Sequence, residues 1–64
     1  MPIMSDSNFE ALVDLYNALS DFYFEVPEEE TSQEERDTLN NACECIMDVL
    51  AAHATSPDRE KLLP

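Results

Sequence analysis

The sequence has no glycine and no tryptophan, and its 64 residues include only two cysteines and three basic residues. The absence of glycine excludes a glycine-rich phosphate-binding loop. It also favours helices, since the prolines lie only near segment ends. Cys43 and Cys45 lie two residues apart in a predicted helix, where they point in different directions and are poorly placed to form a disulfide. Free thiols favour a reducing compartment.

No apolar run approaches the length of about 20 residues that a membrane-spanning helix requires. The first four residues show neither the basic nor the apolar region of a signal peptide. Together with the thiols, these features predict a cytoplasmic protein.

Acidic charge is the strongest compositional feature. Fifteen acidic residues stand against three basic ones, which gives a net charge of −12. Such a charge excludes ordinary binding to nucleic acid or to anionic lipid, because both require positive charge. It favours a protein partner with a basic surface, although acidity can also serve solubility alone. A hydrophobic content of 44% argues against disorder along the whole chain.

Residues 31–54 predict one long helix with a heptad pattern of apolar residues. The pattern consists of Leu39, Cys43, Ile46, Leu50 and His53. This alternation of four and three residues keeps side chains facing a partner helix. Two capping boxes compete for its start, Thr31 with Glu34 and Ser32 with Glu35.

A second heptad pattern precedes it, over a helix expected to start at a capping box of Ser7 and Glu10 and to end before Pro27. This pattern consists of Phe9, Leu12, Tyr16, Leu19 and Tyr23. Apolar positions cover more than half of this helix, so it has more apolar surface than one partner helix can cover. Ser56 and Pro57 predict the start of a third, short helix that is ordered only if Leu62 and Leu63 dock.

These patterns predict an all-α antiparallel helical hairpin in a single domain over residues 1–64. The expected elements are a helix over about 8–25, an acidic loop over 26–31, a helix over about 32–54 and a short C-terminal turn over about 57–63. A two-helix unit rarely stands alone, so the hairpin is expected to dimerise into a four-helix bundle. The predicted core is Phe9, Leu12, Val13, Tyr16, Leu19, Tyr23, Leu39, Cys43, Ile46, Met47 and Leu50.

Neither metal binding nor catalysis is predicted. The only soft ligands are Cys43, Cys45 and His53, and their spacing on one helix does not close a tetrahedral zinc site. His53 is expected to pack or to cap the helix end. The carboxylates lie on exposed helix faces, and the chain is too short to enclose a pocket, so no enzyme activity and no cofactor are expected.

Carboxylates at helical spacing form the predicted partner-binding surface. Like charges four residues apart, such as Glu10 and Asp14 or Asp21 and Glu25, destabilise a helix by about 0.2–0.5 kcal/mol per pair. Rows of carboxylates can imitate the phosphates of a nucleic-acid backbone. In size and charge the chain is similar to small acidic inhibitors encoded by bacteriophages and mobile elements. The expected acidic binding residues are Glu10, Asp14, Asp21, Glu25, Glu28, Glu29 and Glu30.

An apolar cluster near the end of the first helix supports a second interpretation. Aromatic residues are enriched in binding hot spots, but the same cluster can form a dimer interface. The residues predicted for either role are Leu15, Phe22, Tyr23, Phe24 and Val26, with Phe22 and Phe24 as anchors. The sequence therefore predicts an inhibitor or modulator of a basic, nucleic-acid-binding host protein. The alternative is a helical adaptor that grips a partner through this apolar flank, with the acidic residues serving solubility.

Overall fold

The computed structural model describes residues 2–64, and within that range the chain is helical and contains no strand. Helix α1 spans Asp6–Glu25, a 3-10 turn spans Glu28–Glu30, α2 spans Gln33–His53 and α3 spans Pro57–Leu62. The two long helices pack against each other, and α3 contacts α1. The prediction of an all-α helical hairpin with a short third helix is confirmed.

Helix α1 begins two residues earlier than the sequence indicated, and the prediction of Ser7 as its N-cap is wrong. Ser5 is the N-cap, and its hydroxyl accepts a hydrogen bond from the Asn8 N–H at 3.2 Å. Both serines can cap, and either start places a carboxylate in the first turn, where the helix dipole favours it. With the observed start the Asp6 carboxylate also accepts a hydrogen bond from Arg59. At the other end the helix stops at Glu25 before Val26 and Pro27, as predicted.

Of the two capping boxes offered at the start of α2, the structure uses Ser32 with Glu35. The Ser32 hydroxyl accepts the Glu35 N–H at 3.1 Å, and the Glu35 carboxylate accepts the Ser32 N–H at 2.8 Å. Thr31 instead accepts a hydrogen bond from the Arg36 guanidinium. The acidic loop predicted over 26–31 contains the 3-10 turn.

The buried core is small and lies towards the open end of the hairpin. Among residues 2–64, three side chains are fully or almost fully buried, namely Phe9, Val13 and Leu50. Partly buried side chains pack around them, and these are Met4, Leu12, Tyr16, Ile46, Ala54 and Leu63. The remaining predicted core residues, Leu19, Tyr23, Leu39, Cys43 and Met47, are half-buried along the seam. Of the two leucines expected to dock α3, Leu63 packs on the core and Leu62 remains largely exposed.

Two arginines close the two ends of the hairpin, each stacked on an aromatic ring of α1. At the turn end the Arg36 guanidinium lies 5.0 Å from the centre of the Tyr23 ring and donates to the Tyr23 carbonyl. At the open end the Arg59 guanidinium lies 5.0 Å from the centre of the Phe9 ring. Such cation–π contacts stabilise by about 0.5–2 kcal/mol, more where the cation is desolvated.

Arg59 also joins three parts of the chain by hydrogen bonds. Its guanidinium donates to the Met4 carbonyl at 2.6 Å, to the His53 carbonyl at 3.0 Å and to the Asp6 carboxylate at 2.7 Å. The Arg59 side chain is only 11% exposed, whereas the Asp6 side chain is 88% exposed. The carbonyl contacts and the Phe9 ring therefore contribute more than the exposed ion pair.

His53 packs at the same end, as a hydrogen-bond acceptor. Its Nδ1 accepts the Met4 N–H at 3.0 Å, which ties the N-terminal segment to the end of α2. No helix within residues 2–64 combines the length and the apolar character that crossing a membrane would take.

Candidate protein-binding surface

Four carboxylates follow one side of α1 from its first turns to its last. Glu10, Asp14, Asp21 and Glu25 are all exposed. At about 100° per residue they lie within an arc of about 60°, and at about 1.5 Å per residue they span about 22 Å. We call these four residues the acidic row. Glu28, Glu29 and Glu30, also exposed, follow at the turn end of the hairpin.

No residue of the acidic row forms an ion pair within residues 2–64, although Glu10 and Arg59 line the same groove. The single ion pair found within residues 2–64 joins Arg59 to Asp6, outside the row. Arg36 is held against Tyr23, so two of the three basic residues work inside the fold. The last turn of α1 carries no basic residue, and Glu25 there opposes the helix dipole. The row therefore costs stability and carries a negative field that no ion pair within residues 2–64 neutralises.

Phe24 stands beside the acidic row and is 78% exposed, which is unusual for a phenylalanine in a helix. Its ring meets the Tyr23 ring edge-on, with centroids 5.2 Å apart and planes at 88°. One turn earlier on the same side lies Asp21. The Tyr23 contact covers one edge of the Phe24 ring and leaves its outer surface free, so Phe24 can act as an anchor for a partner.

The residues of the predicted apolar cluster are spread around α1 and differ in exposure. Leu15 and Phe22 are 55% and 51% exposed and lie on one side of α1. Phe24 lies about 160° around the helix from Phe22. Tyr23 is half-buried beneath Arg36, and Val26 is half-buried at the helix end. A helix turns about 200° over two residues, so Phe22 and Phe24 lie on opposite sides of α1.

Helix α2 adds apolar surface that the sequence reasoning assigned to no site. Val49 is 43% exposed, and Cys45 is an exposed free thiol, whereas Cys43 is half-buried. Arg36 and Arg59 were also missed as organising residues. The sequence signal that could have identified them is the small number of basic residues, because each of so few bases is a candidate for a structural contact. Within residues 2–64 no three His, Cys, Asp or Glu side chains are grouped closely enough to hold a metal ion.

Glu35 is the acidic residue whose titration the fold changes clearly. The Ser32 N–H, and secondarily the Ser32 hydroxyl, hydrogen-bond to its carboxylate and lower its pKa below the ordinary value of 4.5. A depressed pKa stabilises the folded state above the ordinary pKa, and that stability is lost as the pH falls through the folded value.

Acidification below about pH 4.5 should therefore weaken the start of α2 in the natural protein. A Glu35→Gln variant keeps a carbonyl acceptor that does not titrate, so its capping box should persist in acid. Thermal unfolding followed by circular dichroism across this pH range checks the difference. The explanation would be wrong if the two proteins lost stability in parallel on acidification.

Comparison with known proteins returns no match, since no family model, no curated protein and no solved structure matches the chain.

Proposed function

We propose that this protein is a non-enzymatic inhibitor or modulator that binds a basic surface of another protein. The observation that carries the proposal is the unpaired acidic row with Phe24 exposed beside it. Carboxylates along the row attract and orient a basic partner, and Phe24 supplies an apolar or cation–π anchor. We place this activity in the cytoplasm, where the free Cys43 and Cys45 would stay reduced.

A nucleic-acid-binding site is the basic surface that the charge of this protein fits best. The molecule is 41 Å long and carries a net charge of −12, which is one net charge per about 3.4 Å of length. One strand of duplex DNA has the same spacing of charges along its axis. A groove that evolved to bind phosphates would therefore meet a similar field.

Competition by duplex DNA tests this proposal. A partner captured on the immobilised protein from a nuclease-treated bacterial lysate should be released by added duplex DNA, because both ligands occupy one basic site. An uncharged polymer at the same mass concentration is the control and should release nothing. Retention of the partner in saturating DNA would refute mimicry of nucleic acid.

The exposure of Leu15 and Phe22 favours a second candidate, a helical adaptor that binds a partner through this apolar side of α1. Such binding would survive high salt and fail in a Phe22→Ala variant.

We also propose that the chain forms a homodimer in which the two hairpins make a four-helix bundle. The part of the chain that the structure describes has three buried side chains and so little core of its own, and small domains of this kind commonly gain stability by association.

A further inference from the structure

One broad side of the hairpin carries two exposed apolar stripes at heptad spacing. The stripes are Leu15, Ala18 and Phe22 on α1, and Cys45, Val49 and Ala52 on α2. Residues at this spacing share one side of a helix, as in a helix bundle. We call these six residues the charge-free face, because none of them carries a charge.

The direction of the two helices places both stripes on the same side of the molecule. Viewed along α1 from its start, Leu15 lies about 120° counter-clockwise of the buried Phe9. Viewed along α2 from its start, Val49 lies about 100° counter-clockwise of the buried Leu50. The two helices pack through their buried sides and run in opposite directions. A counter-clockwise rotation away from the buried side therefore leads, on both helices, to the same broad side of the molecule.

Helix α3 does not cover the charge-free face. Leu62 of α3 lines a shallow groove together with Glu10, Val13 and Asp14, which lie clockwise of Phe9 on α1. The short helix therefore packs on the other side of the hairpin, near the acidic row. The charge-free face remains bare in the single chain.

Charge decides what can occupy this face. Glu34 and Glu35 border it at the turn end. Glu25, one turn from Phe22, and Asp48, one turn from Ala52, lie at its rim. The centre of the face carries no charge. A basic partner would be drawn to the acidic row instead. A second copy with a net charge of −12 is repelled from every acidic side, but at the centre of this face the two copies meet through uncharged side chains. The heptad spacing is also the one that packs into a four-helix bundle.

The size of the face fits a dimer. A stable interface buries about 800 Å² per partner, which is about a sixth of the 4657 Å² that this chain exposes. The molecule is a slab of 41 × 20 × 15 Å, and the charge-free face belongs to one of its two broad sides. At the turn end, an open groove of about 420 Å³ lies on the same side, and its lining includes Glu34 and Glu35 as well as Leu39.

We propose that a second copy of this chain docks on the charge-free face, with the two hairpins stacked in opposite directions so that the Glu34 ends stay apart. Both acidic rows then point outward. Two stacked copies carry 24 net charges over the same 41 Å, or one per about 1.7 Å, which is the charge spacing of duplex DNA. The significance of this match in charge spacing rests on the proposed function. It makes the dimer, rather than the single chain, the form that imitates a duplex.

Phe22 and Phe24 provide a matched pair of variants to test the docking. Both are exposed, and Phe22→Glu and Phe24→Glu add the same charge to opposite sides of α1. In sedimentation the natural protein should have twice the mass of the 7.3 kDa chain. Phe22→Glu should weaken the dimer by at least about tenfold, because it buries an unpaired charge, and Phe24→Glu should leave it intact.

Helix α2 offers a second pair of variants. Val49→Glu, on the charge-free face, should weaken the dimer, and Ala51→Glu, away from that face, should leave it intact. Circular dichroism shows whether each variant is folded, and so distinguishes unfolding from dissociation of the dimer. A natural protein that sediments at 7.3 kDa would overturn the proposal, as would dissociation by Phe24→Glu without dissociation by Phe22→Glu. The proposal would also be overturned if the natural protein formed no dimer and the Phe22→Glu variant lost a captured partner, since another protein would then occupy the face.

Salt separates this proposal from the proposed function. Added salt should strengthen dimerisation, because it screens the repulsion between two acidic copies. The same salt should weaken the binding of a basic partner. An intact dimer that captures no basic protein would refute the proposed function alone. A monomer that still captures one in a salt-sensitive way would refute the homodimer and its docking face, and would leave binding by the acidic row intact. A dimer that weakens with salt would also contradict docking on a charge-free face.

Discussion

Replacing three carboxylates of the acidic row by amides, in an Asp14→Asn, Asp21→Asn and Glu25→Gln variant, should weaken binding of the captured basic partner by about a hundredfold at low salt. Each lost charge contact contributes about 1 kcal/mol, and every 1.4 kcal/mol is tenfold in affinity. The slope of log affinity against log salt concentration should fall by about three, since three fewer counterions are exchanged. Titration calorimetry over a salt series measures both effects.

The same variant should be slightly more stable than the natural protein. Removing the like-charge pairs of Glu10 with Asp14 and of Asp21 with Glu25 relieves about 0.2–0.5 kcal/mol for each pair. A gain in stability with a loss of binding is the pattern expected when charges are kept for function. A matched control is Asp37→Asn, Glu44→Gln and Asp48→Asn on the exposed side of α2, which changes net charge equally. Equal weakening by both triple variants would attribute binding to net charge rather than to the row.

Arg59→Ala should lower the free energy of unfolding by about 3 kcal/mol. The guanidinium donates to the Met4 and His53 carbonyls and stacks on the Phe9 ring, and hydrogen bonds to charged groups contribute about 1.5–3 kcal/mol each without adding fully. A chain of this length has a total stability of about 3–10 kcal/mol, so the loss is a large share. Urea unfolding followed by circular dichroism measures it.

Lys61→Ala is the control for that variant. Lys61 is an exposed base of the same short helix, so its removal changes the charge equally and should leave the midpoint almost unchanged. Arg59→Lys should recover little, because an ammonium cannot reach three acceptors and stack on a ring at once. Hydrogen exchange in Arg59→Ala should show α3 released first. Equal urea midpoints for Arg59→Ala and Lys61→Ala would show that the guanidinium contacts do not hold the fold.

The helical hairpin was predictable because its signals are local. Heptad spacing, Ser32 with Glu35, and Pro27 act within a few residues, and each leads to an element that the structure contains. The start of α1 was not predictable, since Ser5 and Ser7 offer the same chemistry two residues apart. In the observed helix the Asp6 carboxylate accepts a hydrogen bond from Arg59, which lies 53 residues away in sequence.

The candidate surface was predictable in composition but only partly in arrangement. The carboxylates of the acidic row lie together as their spacing indicates. The opposite placement of Phe22 and Phe24 follows from helical geometry alone, yet the aromatic run 22–24 reads as one cluster. Arg59 and Arg36 act through contacts between distant segments, and no local pattern encodes those. The contribution of α2 to the charge-free face needs the packing direction of the two helices.

The most direct test of the central claim is capture from a nuclease-treated bacterial lysate on the immobilised natural protein, at about 50 mM and about 200 mM salt, read by mass spectrometry. We expect a nucleic-acid-binding protein to be held at low salt and lost at high salt, because the acidic row carries the binding. A partner that stays bound at high salt and detaches from Phe22→Ala would contradict this account and assign binding to the apolar side of α1.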